Sequence, residues 1–153
     1  MKKTILLAAI CYPVSIARYL AEGFVAEGHK VIVAGPTTRN YIPWGAGMYL
    51  DERYNWQPDV ELDPHRQYTI VEVLEKAGPV DLIVSADSAF TLHGPSPVPV
   101  ALFAVDNHVK DYRLRDWDMI FGAHSWGHRS QDANFRWLPC AYSPKWHTDL
   151  GRE

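Results

Sequence analysis

The run Val98-Pro99-Val100-Ala101-Leu102-Phe103-Ala104-Val105, followed at once by Asp106-Asn107-His108, decides how the rest of the chain is read. Seven of its first eight residues are apolar and do not alternate with polar ones, the pattern of a strand covered on both faces in a parallel sheet. The abrupt change to polar residues marks the strand's carboxyl end. In open α/β sheets ligands sit beyond the carboxyl ends of the strands, so Asp106 and His108 are the first candidates for chemistry.

Upstream of this strand, Gly94-Pro95-Ser96-Pro97 is a stiff linker, and residues 80–86 form another apolar run that delivers Asp87-Ser88 at its end. Helical spacing over residues 68–76, through Ile70, Val71, Val73 and Leu74, is stopped by Gly78-Pro79. At the start of the chain, residues 4–10 read as a first strand. Pro13 then opens a helix that carries Ser15 in its first turn and ends near Glu27-Gly28, and residues 30–34 give the next strand. Downstream, residues 117–123 form a strand delivering His124-Ser125, and a short run over 135–138 precedes Pro139-Cys140-Ala141-Tyr142-Ser143-Pro144. Residues 35–64 lose all periodicity and read as a long loop, whose aromatics Tyr41, Trp44, Tyr49, Tyr54 and Trp56 roof the core or wall a cleft. Strands alternating with helices predict an α/β fold: one doubly wound, Rossmann-like domain over residues 1–153, with a mostly parallel sheet flanked by helices.

Composition narrows the partners. The 153 residues carry 15 basic and 18 acidic side chains, a net charge of -3, with no basic stripe, which argues against nucleic acid. No apolar segment approaches the roughly 20 residues that span a bilayer. The opening Met1-Lys2-Lys3-Thr4 and the apolar run after it mimic a secretion signal, but the run is short and bulky Ile10 stands where a small residue belongs. A first buried strand is the better reading, and with it a cytoplasmic location. Cys11 and Cys140 have neither metal nor redox spacing and read as reduced thiols.

Several chemistries fall away on the same residues. The first strand-to-helix turn, Cys11-Tyr12-Pro13-Val14-Ser15, lacks the glycines that let a backbone approach a pyrophosphate, so no dinucleotide cofactor is expected. The helix start still offers free N–H groups to an anion, with Ser15 either assisting or capping. Asp87 sits where a phospho-acceptor receiver places its aspartate, but the acidic pair and the lysine of such a domain are missing. His124 and His128 lie four apart without further zinc ligands, so no metal is expected. A hydrolase built on Ser88 or Ser125 with His108 lacks nucleophile-elbow glycines. Asp106, His108 and His124 remain, each beyond a strand's carboxyl end, where an aspartate can orient a histidine for proton transfer.

Three patches carry a family resemblance: Ala104-Val105-Asp106-Asn107-His108, then Trp117-Asp118-Met119-Ile120-Phe121, then Trp137-Leu138-Pro139-Cys140-Ala141-Tyr142-Ser143-Pro144. Together with Glu27-Gly28-His29-Lys30-Val31, they resemble the amino-terminal domain of GT-B glycosyltransferases of the CgeB-like, spore-maturation type. The resemblance implies transfer of a sugar from a nucleotide-sugar to an acceptor hydroxyl, without an obligatory metal. Asp106 or His108 would be the catalytic base, and Ser15, Asp87, His124 and Ser125 would bind the acceptor. It further implies that the donor-binding second domain is absent from these residues, so that a missing domain or a partner chain supplies it and the chain alone is inactive. The alternative is a free-standing module, monomeric or a homodimer, that binds a small ligand or serves assembly.

Overall fold

The apolar runs become strands of one sheet, and their lengths follow from where carboxylates and turns cut them short. The computed structural model describes residues 1–11, 15–37, 56–86, 92–105, 117–126 and 131–138. In chain order the elements are β1 (Thr4–Ala8), α1 (Ile16–Ala26), β2 (Lys30–Gly35), β3 (Val60–Glu61), α2 (Ile70–Ala77), β4 (Leu82–Ala86), β5 (Val100–Ala104), β6 (Met119–Gly122) and β7 (Phe135–Trp137). All six strand pairings are parallel, and the seven strands lie in the order β3-β2-β1-β4-β5-β6-β7. The fold is therefore α/β and Rossmann-like, with a sheet that is parallel throughout rather than mostly so. Its topological switch point lies between β1 and β4, where the chain stops adding strands on one side and begins on the other.

Alternation along each strand splits the core into two layers. Leu6, Ala8, Ile83 and Leu102 pack with Ile70 and Val73 of α2 on one face. Ile5, Leu7, Val84 and Ala101 pack with Ala17 and Ala21 of α1 on the other. All five residues of β5 are buried, as its uninterrupted apolar run demands. The middle of the sheet, however, is β4, with β5 one place beside it.

Three aspartates fasten neighbouring strands by one repeated device. Each stands immediately before a strand and clasps a single residue of the neighbouring strand with both its N–H and its carboxylate. Asp81 N–H donates to the Thr4 carbonyl at 2.8 Å while Thr4 N–H donates to Asp81 Oδ2 at 2.7 Å. Asp118 does the same with Val100, at 3.0 and 2.7 Å, and Asp59 with Val33, at 2.9 and 2.8 Å. The clasps place the start of β4 and β6 two residues later than their apolar runs suggest. Thr4 N–H first, then Lys3, holds the Asp81 carboxyl below the usual aspartate range.

The helices are set by their caps. In α2, Thr69 Oγ1 accepts from Glu72 N–H at 3.2 Å while Glu72 Oε2 accepts from Thr69 N–H at 2.8 Å. This capping box starts the helix at Ile70 and leaves Tyr68, expected inside it, buried in the preceding segment. In α1, Ser15 takes the capping role that was one of its two expected ones, and not a place within the first turn. Ser15 has extended backbone angles and accepts from Arg18 N–H, so it is the N-cap and the helix begins one residue later. The expected stop at Gly28 holds, with φ at 85°.

The stretch 35–64, read as loop, contains the short edge strand β3, paired through Ala34 with Val60 and Gly35 with Glu61. Of its aromatics, Trp56 is half-buried and packs on the α1 side of the core. Tyr41, Trp44, Tyr49 and Tyr54 lie outside the described residues.

Candidate functional site

Because every strand runs the same way, all the strand-following loops open on one edge. There β1 and β2 are drawn together by a close approach. A Cβ on Gly35 would lie 1.7 Å from the Ala9 carbonyl oxygen, so only glycine allows β1 to continue past Ala8 at this spacing. The continuation is hydrogen-bonded, Ala9 N–H to Ala34 O at 3.1 Å and Cys11 N–H to Pro36 O at 2.9 Å. Cys11 is thereby buried, and burial first, then the charges of Asp59 and Glu61, pushes its thiol up to about 12. A thiol held protonated is a poor nucleophile at neutral pH.

Ser15 follows this segment at the head of α1. Its hydroxyl is buried and accepts from Arg18 N–H at 3.2 Å, so one lone pair is committed to the cap. Arg18, in the same first turn and buried, pairs with Glu22 at 3.5 Å.

On the other side of the switch point, β6 ends at Gly122 and delivers Ala123, His124, Ser125 and Trp126. A Cβ on Gly122 would lie 2.4 Å from the Phe135 ring, so the bare backbone here lets β7 pack beside β6. His124 is half-buried, and its ring lies against that of Trp126 with centroids 5.3 Å apart and planes tilted by 38°. Ser125 is exposed. The indole N–H of Trp137 donates to the Ala123 carbonyl at 3.2 Å and so fixes that ring over the start of the same turn.

The predicted site residues are thus partly brought together. His124 and Ser125 share one turn, and Ser15 lies on the same edge but three strand positions away, roughly 14 Å at the usual strand spacing. Asp106, His108 and Asp87 lie outside the described residues, as do His128, Ser88 and Cys140. Among the described residues no three His, Cys, Asp or Glu side chains converge as a metal site would require.

Two features were not foreseen. Ser85, next to last in β4 and read only as part of an apolar run, is buried between Ala8 and Leu102, and its hydroxyl has no hydrogen-bond partner among the described residues. A buried hydroxyl left so costs about 1–3 kcal/mol. The second is an open recess of about 610 Å³ lined by Glu61, Leu62, Asp63, Pro64 and His65. It adjoins β3, five positions from β6, and is remote from His124 and Ser125.

Comparison of the chain with protein-family models, with curated proteins and with solved structures finds no match.

Proposed function

We propose that this chain is the acceptor-side domain of a GT-B glycosyltransferase of the CgeB-like type, transferring a sugar from a nucleotide-sugar to an acceptor hydroxyl. One observation carries the reading. Two of the resembling segments begin at the carboxyl ends of β5 and β7, at Ala104 and Trp137, and the third forms β6, which lies between those strands in the sheet. The glycine-free turn after β1 and the capping role of Ser15 agree with a domain that holds an acceptor rather than a dinucleotide.

In this reading Asp106 or His108 accepts the proton of the acceptor hydroxyl as its oxygen bonds to the anomeric carbon. The bond from that carbon to the nucleotide's terminal phosphate oxygen breaks, and the nucleoside diphosphate leaves with the electron pair. His124, Ser125, Ser15 and Asp87 contact the acceptor, and a second domain or partner chain holds the donor. The test uses the gene product isolated from its own cells, whose intact mass against 17.4 kDa tells whether the donor half is on the same chain. Offered UDP-, GDP- and dTDP-sugars, that preparation transfers sugar, and Asp106→Asn or His108→Ala lowers turnover about 10²–10⁴-fold with little change in melting temperature. Normal transfer by both variants would show that the assigned base is wrong. No transfer from any nucleotide-sugar would overturn the reading itself.

A further inference from the structure

We infer that the turn after β6 and the end of β7 form a saccharide subsite in which the indole rings of Trp126 and Trp137 receive the C–H face of a pyranose ring. The inference rests on the acceptor-side reading above and names its substrate class: the acceptor is itself a carbohydrate or carries one.

Three observations converge on it. The large apolar side chains exposed on the described carboxyl edge are Trp126, Trp137 and Leu138, and the two indoles are 58% and 61% open. Exposed apolar surface rimmed by polar groups marks a contact site more often than chance placement does. Second, both rings are held. Trp126 rests against His124 at 5.3 Å, and Trp137 has its one donor engaged on the Ala123 carbonyl. A ring fixed before binding loses little freedom on binding, and a ring whose N–H is already engaged offers its π face instead. Third, the turn that ends in Trp126, and on whose first residue Trp137 is anchored, carries the polar residues His124 and exposed Ser125.

That combination selects among ligand classes. A pyranose presents axial C–H bonds on one face and hydroxyls around its rim, so it matches flat aromatic surface bordered by hydroxyl and imidazole. An anionic ligand such as a phosphate has no use for the π faces, whose negative potential repels it.

The test is binding to an array of pyranose-containing oligosaccharides by the intact 153-residue chain, followed by NMR of the indole N–H signals with the best binder. The expected result is binding that shifts the Trp126 and Trp137 signals and weakens at least fivefold in Trp126→Ala and in Trp137→Ala. Trp137→Phe, which keeps an aromatic face, should retain most of it. The wild-type NMR readout stands even where an alanine variant folds poorly. Absence of binding across the array, or a bound saccharide that leaves both indole signals unmoved, overturns the inference. So does a dimer in sedimentation that dissociates on Trp137→Ala, which would give the rings to a second copy. Sugar transfer to a non-carbohydrate acceptor would overturn this subsite while leaving the glycosyltransferase reading intact.

Discussion

Replacing Gly35 by alanine tests the close approach that shapes the carboxyl ends of β1 and β2. The added Cβ would sit 1.7 Å from the Ala9 carbonyl oxygen and 2.8 Å from its carbon, where real Cβ atoms keep 3.0 Å or more. Both atoms are backbone, so no side-chain rotation relieves the clash, and the strands must separate by more than about 1 Å, against close packing that resists such shifts. Separation breaks the Ala9 N–H to Ala34 O and Cys11 N–H to Pro36 O bonds, each worth about 1 kcal/mol, and adds the usual overpacking cost of about 1–3 kcal/mol. The expected loss is about 3–5 kcal/mol, or roughly 10 °C in melting temperature for a domain of this size. Urea unfolding followed by circular dichroism measures it. The proper control is Gly23→Ala inside α1, where an added Cβ meets nothing within 4 Å and helix propensity predicts a gain of about 0.5–1 kcal/mol. A Gly35→Ala loss below 1 kcal/mol would refute the reasoning, since the clash would then have been absorbed without parting the strands.

Other consequences can be measured on the same protein. Asp118→Ala removes a charged acceptor from Val100 N–H and should cost about 1 kcal/mol after discounting for exposure, whereas Asp118→Asn, which keeps an acceptor oxygen, should cost less; equal losses in denaturant would show that the carboxylate does not clasp. Glu72 is held below the usual glutamate range by the Thr69 N–H and hydroxyl, with Arg66 adding to them. Because its folded pKa is depressed, its contribution is complete above the unfolded value near 4.5 and is lost as pH falls through the lower folded value. Glu72→Gln should therefore flatten the stability-pH curve below about pH 4.5, and an unchanged slope would count against the capping box. Cys11, with its thiol pushed up to about 12, should resist iodoacetamide at pH 8 until the protein unfolds, and peptide mapping that finds it alkylated within minutes in the native state would contradict its burial.

How far the sequence alone carries the fold can be judged element by element. The unbroken apolar run of β5 could satisfy its side chains only with cover on both faces, and that condition implies a parallel sheet. Helix α1 was legible from Ile16, Leu20 and Phe24 together with the stop at Gly28, but its start was not. Pro13 and Ser15 are both acceptable near a helix start, and only the extended backbone of Ser15 distinguishes cap from first turn. Strand β3 had no legible pattern at all, because two residues held by main-chain bonds to β2 need no periodicity. For the site, the carboxyl edge was legible as a place, and His124 and Ser125 fall there as expected. What sequence spacing did not convey is lateral order: Ser15 and His124 lie on one edge yet three strand positions apart. The indoles of Trp126 and Trp137 were equally hard to weigh, since a tryptophan in a list of residues carries no sign of whether its ring is covered.

The strand order also bears on how the chain can be made. From β1 to β3, and again from β4 to β7, each strand pairs with the one synthesised just before it. A single stitch, β4 onto β1, reaches far back along the chain, and its Asp81 to Thr4 hydrogen bond spans 77 residues. During synthesis the first arm can therefore assemble and wait with the open side of β1 unpaired. Once residue 86 clears the ribosome, that side is closed, and every later strand finds its neighbour already in place. The vulnerable interval, in which an apolar strand edge stands open to other nascent chains, ends when β4 docks.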